Sequence, residues 1–327
     1  MKYHSTLIAI FCLCPGVLAL TSAQAADQHR VAITFDDLPA VAISRDDART
    51  RRIVTMRLLH ALVERDIPAI GFVNEGKFTT DGVVDEEQVN LLRLWLDAGF
   101  ELGNHSFSHP DLHRIPLDEF QDNVLRGESV TKKLLAERGR KPEFFRHPYL
   151  HTGRDLETRD NFEIFLAAHD YRVAPVTIDN SEWIFARAYV LAVNAGDLHL
   201  AHKIGREYVN YMLQMFEFYE QQSQLFFERN IAHVLLVHAN ELNASWFATL
   251  ADELSGKGYE FITLTEALRD PAYESADSYT GAGGITWLHR WAISRDVDPQ
   301  MFRGEPDTPA HILKLTQVPE HLYPTSE

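Results

Sequence analysis

The 327-residue sequence predicts an α/β fold, a distorted (β/α)7 barrel of parallel strands, on three observations. Short apolar runs alternate with amphipathic helical patterns along the chain after residue 26, the pattern of repeated strand-helix units around a parallel sheet. The composition, 45% hydrophobic and 24% charged, suits a folded chain with a sizeable core and not a disordered one. Carboxylates, imidazoles and a guanidinium recur where the apolar runs end, and the carboxyl ends of barrel strands are where such folds place their chemistry.

Residues 1–25 stand apart. They combine Lys2, an apolar stretch from Leu7 to Leu20 interrupted by Pro15 and Gly16, and an Ala23-Gln24-Ala25 ending, the layout of a secretory signal peptide cleaved after Ala25. The mature protein is therefore expected in the periplasm or the medium. Cys12 and Cys14 both fall inside this segment, so the mature chain would depend on neither disulfides nor cysteine-bound metal. No later stretch has the length and apolarity to insert in a membrane.

The expected catalytic domain covers residues 26–270. Its strands are 31–37, 69–75, 101–106, 143–149, 172–179, 232–240 and 259–264. Helices are expected from a cap at Ser44 to about Arg65, from Asp85 to Gly99, and from Leu117 to Arg138 with Gly139 as the stop. A long helix, rich in Tyr, Phe, Glu and Gln, is expected over 195–230 as an insertion between the fifth and sixth strands. Residues 271–327, with "TGAGG" and repeated prolines, read as an irregular extension that packs on or caps the barrel.

Charge narrows the partners. The formal net charge is −16, from 47 acidic and 31 basic residues, and no Lys/Arg cluster is present. Such a surface repels nucleic acid and anionic lipid, and favours a neutral substrate or a metal cation. No motif for a protein partner is evident.

The first strand ends in Asp36-Asp37. Adjacent carboxylates repel and cost desolvation, so the pair asks for a cation or a proton, the plainer alternative being a solvated turn before Pro39. His105 and His109, four apart in "NHSFSH", can share one face of a helical turn and hold one ion with a carboxylate as third ligand. Later strand ends supply Arg146 and Tyr149 in "FRHPY", Asp179 and Trp183 in "IDNSEW", and His238 in "LLVHAN". Singly these signals are weak, since HxxxH is more often two surface histidines and a strand-end His is often a satisfied edge residue. Their weight comes from shared placement at five strand ends.

In that order, "TFDD", "HSFSH", "RHPY", "DNSEW" and "LLVH" resemble the five motifs of the polysaccharide deacetylase family, also called carbohydrate esterase family 4 or the NodB homology domain, from about residue 30 to 268. The resemblance implies a distorted barrel of parallel strands and one divalent ion, zinc before cobalt or nickel. It implies removal of N-acetyl, or sometimes O-acetyl, groups from a carbohydrate polymer or oligomer. It further implies Asp36 as base, Asp37, His105 and His109 as metal ligands, and His238 as the acid that protonates the leaving amine. The Tyr149 N–H would face the oxyanion, Arg146 would keep Asp36 ionised, and Asp179 would orient Arg146. Leu236 and Trp183 would line the pocket for the acetyl methyl.

The sequence departs from the pattern at Leu38 and Leu150, where Gly is usual, at Glu182, where Asp is usual, and at Asn240, two residues after His238. His113, His147, His169, His199, His202, His233 and His289 match no motif and are expected as surface or packing residues, with His151 placed to reach the cleft rim. Two other classes stay open: a metal amidase acting on a small non-sugar amide, and a catalytically silent carbohydrate-binding protein of the same fold.

Overall fold

The computed structural model describes residues 28–317, so the expected signal segment and both cysteines lie outside the described residues. At the centre is β1 (His29–Leu38), buried along most of its length. The other strands of the main sheet are β2 (Ala69–Val73), β5 (Glu101–Asn104), β6 (Phe144–Phe145), β7 (Arg172–Val173), β8 (Ala232–His238) and β9 (Tyr259–Ile262), and a small hairpin joins β3 (Thr79–Thr80) to β4 (Val83–Val84). All pairings in the main sheet are parallel.

The sheet runs β7-β6-β5-β2-β1-β8 and then curls round on itself. The chain leaving β7 reaches β8, where Ile178 bridges Leu235, with the Thr177 and Ile178 N–H groups donating to the Val234 carbonyl at 3.0 Å. Seven strands are present, but β9 pairs only with His29–Ala32 of β1, on the edge that β2 takes over from Ile33 onward. The ring proper therefore has six members, which is the physical form of the expected distortion. Ala32, Ile70, Phe72, Phe144, Ala174, Ala232 and Val234, drawn from around the ring, pack together as its interior. The larger core lies between the sheet and the helices, with Phe35, Trp95 and Phe247 in edge contact.

The helices are α1 (Ala48–Val63), α2 (Glu86–Asp97), α3 (Leu117–Arg126), α4 (Ser129–Ala136), α5 (Leu156–Ala168), α6 (Glu182–Asn194), α7 (Leu198–Phe227), α8 (Glu241–Gly256), α9 (Leu264–Ala267), α10 (Trp287–Ser294) and α11 (Ala310–Thr316). Asp85 caps α2 as expected. The long helix of the insertion forms as α7. The strands expected over 143–149 and 172–179 shorten to β6 and β7, the extension expected to be irregular carries α10 and α11, and two of the expected helices differ. The cap of α1 is Asp47, which accepts from the Thr50 N–H at 2.7 Å, because the Ser44 hydroxyl donates instead to Glu241.

The single helix expected over 117–138 is broken into α3 and α4 at Gly127. A Cβ there would lie 2.4 Å from the Ser106 backbone, so this glycine lets the break press against the loop after β5. The freed N–H groups of Val130 and Thr131 are taken by the buried Glu75 carboxylate at 2.9 and 2.7 Å, a cap that comes from 55 residues away and has no local signal. Among the described residues no helix is long and apolar enough to cross a membrane.

Candidate functional site

The two aspartates reach one site through a defect in the strand. The pairing of β1 with β2 shifts register between Phe35 and Leu38, and Asp37 has a left-handed backbone, φ 72°. Strand alternation would turn Asp37 away from Asp36; this reversal brings it back. Asp36 lies in register with His238 on β8. Its Oδ2 accepts from Arg146 Nη1 at 3.3 Å, while Oδ1 is buried and has no hydrogen-bond partner. Asp37 Oδ1 lies 3.0 Å from the ammonium of Lys77, which also donates to the Asp37 carbonyl at 2.9 Å.

His105 and His109 meet in a different way from the helical turn expected. The segment after β5 is a loop, and left-handed residues at Ser106 and His109 fold it back so that the two rings sit edge to face at 4.8 Å. Side chains hold the loop: the Ser106 hydroxyl accepts from the His109 N–H, Asn104 accepts from the Ser106 N–H, and Asn123 accepts from the N–H groups of Phe107 and Ser108. His105 Nδ1 donates to the Arg146 carbonyl at 2.8 Å, which leaves the lone pair on Nε2.

Three ligand atoms, one each from Asp37, His105 and His109, lie within 4.8 Å of one another. Burial pushes both imidazoles down to about 4, so they are neutral, with lone pairs free, at ordinary pH. Burial disfavours the Asp37 charge, but Lys77 and the surrounding histidines outweigh it and hold the carboxyl well below the usual range. One ionised carboxylate and two neutral imidazoles are a donor set suited to a divalent ion. The unpartnered Oδ1 of Asp36 beside them fits a role in taking a proton.

Burial raises the Asp36 pKa above its ordinary value despite the Arg146 guanidinium. Arg146 itself is fully buried; Nε donates to the Ala174 carbonyl at 2.9 Å and Nη2 to the Thr34 hydroxyl at 3.0 Å, and the guanidinium lies 4.7 Å over the Phe72 ring. Its orientation comes from these groups. The Asp179 charge favours the charged form of the Arg146 guanidinium. Asp179 accepts from the Asn180 N–H, and burial pushes its carboxyl up to about 6.

His238 has the carboxylate partner that spacing left unnamed. Its Nδ1 lies 2.7 Å from Oε2 of the buried Glu182. Burial opposes a charge on the ring, but the hydrogen bond and charge of Glu182, with Asp37 and Asp36 adding, raise it to about 9. Glu182 Oε1 accepts from the side-chain amides of Asn240 and Asn243, and the Tyr208 hydroxyl donates to Asn243 Oδ1 at 2.7 Å. Two departures from the family pattern, Glu182 and Asn240, are thus hydrogen-bonded to each other.

Tyr149 sits in a tight turn after β6, its ring edge-on to His109 at 4.5 Å. The turn's own hydrogen bonds run from the Leu150 N–H to the His147 carbonyl and from the His151 N–H to the Pro148 carbonyl, using neither the N–H nor the side chain of Tyr149. Leu236 is buried in the main core on β8, and Trp183 is one-third exposed at the start of α6. Lys77 gave no sequence signal, since it follows β2 in a short turn and belongs to no motif.

A second group of donors, Asp111, His113 and His151, also lies within 4.8 Å. The His113 and His151 rings are stacked at 3.9 Å and 4° between planes, and Asp111 is engaged by His151 Nδ1 at 2.7 Å and Arg114 at 3.1 Å. In-plane lone pairs on parallel stacked rings do not converge on one ion, so the first triad is the better metal site.

Residues 23–161 match the family model described as polysaccharide deacetylase, which covers the first three strand-end motifs and stops before those holding Glu182 and His238. A peptidoglycan-N-acetylglucosamine deacetylase from Bacillus cereus is 25% identical over 157 residues, 48% of this chain and 47% of that protein, so the chain matches about half the length of this curated relative. Similar solved structures include a peptidoglycan deacetylase from Bacillus subtilis, 19% identical over 75% of this chain and 92% of that one with a TM-score of 0.47. They also include a family 4 carbohydrate esterase from Streptomyces lividans in complex with acetate, 21% identical over 74% of this chain and 97% of that one, with a TM-score of 0.46. Over residues 23–161, with the motifs carried on these strand ends, the chain is similar to the polysaccharide deacetylase family.

Proposed function

We propose that the protein is a metal-dependent deacetylase that hydrolyses acetyl groups, N-acetyl before O-acetyl, on a carbohydrate polymer or oligomer. The observation that supports this reading is the register pairing of Asp36 with His238, which brings a carboxylate and an imidazole beside the Asp37, His105 and His109 donors. A divalent ion held by those three residues, zinc before cobalt or nickel, would lower the pKa of a water from about 15.7 towards neutrality and polarise the acetyl carbonyl. Asp36 accepts the water's proton at Oδ1, its free oxygen, and the burial that raises its pKa makes it a stronger base. The Tyr149 N–H faces the oxyanion. His238 donates from Nε2 to the departing nitrogen, while Nδ1 stays on Glu182. The proton-transfer pair favours an enzyme over a silent binding protein, which needs none.

The named activity of the Bacillus cereus relative makes peptidoglycan the first substrate to test. Purified protein should carry about one divalent ion and release acetate from peptidoglycan fragments, chitin oligomers or acetylated xylan. His105→Ala and His109→Ala should each lose both the ion and the acetate. Full metal occupancy in both variants would remove the site, and ammonia from small amides with no acetate from any glycan would transfer the protein to the amidase class. Action on a cell-wall glycan also requires export. Protein isolated from its native host should begin at or near Ala26, and mass spectrometry finding Met1 intact would contradict this.

A further inference from the structure

We infer that residues 277–290 form a strap that holds the Tyr149–Leu150 turn in its working shape, which makes Gly284 and Arg290 positioning residues for the reaction proposed above, on whose oxyanion role for Tyr149 this rests. Tyr149 and Leu150 are consecutive non-glycine residues with left-handed backbones, φ 58° and 55°. Such a pair persists only where the surroundings over-determine it. The turn supplies two hydrogen bonds of its own, and further restraint comes from the far end of the chain.

Arg290, on α10, is 1% exposed and is aimed at the turn. Nη2 donates to the Thr152 hydroxyl at 2.6 Å, and Nη1 reaches towards the Leu150 carbonyl at 3.5 Å. Asp277 accepts from its Nε at 2.8 Å, and the guanidinium lies 4.7 Å over the Trp287 ring and 5.4 Å from that of Tyr279. A buried guanidinium is costly unless paired, and here its pairing ties the strap to the turn. The strap has its own anchors: the Trp287 N–H donates to the Val176 carbonyl at 2.8 Å, and Arg159 donates to the Asp277 carbonyl.

The closest approach is at Gly284. A Cβ on this residue would lie 1.8 Å from the Tyr149 carbonyl oxygen, so the strap's backbone rests directly on the residue whose N–H faces the oxyanion. On the other side, His151 is held by Asp111 at 2.7 Å, and its ring is stacked on His113. The turn is therefore gripped from both flanks. Its inner grip comes from the loop after β5, which also carries the metal ligands His105 and His109. Its outer grip comes from a segment beyond residues 23–161, the part matched to the family.

The test compares the zinc-loaded wild type with Gly284→Ala, Arg290→Met and Thr152→Val, the last removing only the hydroxyl that Arg290 engages. Amide exchange across residues 148–152 should quicken in all three. The metal content and KM should hold while kcat falls, by tenfold or more in Gly284→Ala, a split that a purely structural clamp would not produce. Exchange and kcat within twofold of wild type in Gly284→Ala and Thr152→Val would overturn the strap, even if Arg290→Met failed to fold. If wild type releases no acetate from any glycan, the deacetylase reading fails, and the exchange rates still decide whether the strap holds the turn.

Discussion

Asp36→Asn is expected to keep the divalent ion and lose roughly 10²–10⁴-fold in acetate release, the usual worth of a general base. An amide cannot accept the water's proton, but it retains the shape that fits beside Arg146. Asp37→Ala should behave differently. It removes one of three donors within 4.8 Å of one another and leaves the Lys77 ammonium without its carboxylate, so metal affinity itself should fall. Metal analysis beside single-turnover acetate release separates the two. Equal metal loss in both variants would mean that the base and the ligand have been exchanged.

His238→Ala should likewise retain the ion and lose roughly 10²–10⁴-fold in rate, because leaving-group protonation would pass to solvent. Turnover within a few-fold of wild type would move the acid role elsewhere, with His151 the next candidate. The pH dependence gives a sharper result. With Glu182 present, His238 titrates at about 9, so turnover that needs the imidazolium should hold through neutral pH and fall as the pH rises through that value. Glu182→Gln removes the charge that outweighs burial. Its alkaline limb should therefore move to lower pH, and activity lost at pH 8 should return in part on acidification. An unmoved limb would show that Glu182 does not set the acid's pKa. The same shift bears on stability. A ring whose pKa is raised on folding contributes stability that is complete below its unfolded value, about 6.5, and is lost as the pH rises through about 9. The charge-dependent part of the Tm difference between Glu182→Gln and wild type should shrink across that window.

Much of the site can be read along the chain because a parallel barrel delivers strand ends to one rim. Asp36, Arg146 and His238 each follow an apolar run, so their placement at strand ends emerges from that pattern. The turning of Asp37 back towards Asp36 also has a local cause, a left-handed residue at the end of a strand. Glu182 was visible as a departure from the pattern, but its meaning was not. Its partner His238 is 56 residues away, and only the fold shows that the carboxylate meets an imidazole and two asparagine amides.

The sequence by itself determined the fold class, the alternation of strands and helices, the caps at residues such as Asp85, and the residue types at the strand ends, because each depends on local periodicity or on neighbours a few residues apart. Only the tertiary structure decided the displacement of β9 from the ring, the break at Gly127, the ion pair of Lys77 with Asp37, and the contact of Gly284 with the Tyr149 carbonyl. Each of these depends on two segments far apart in the chain competing for the same space or charge, a condition no local pattern encodes.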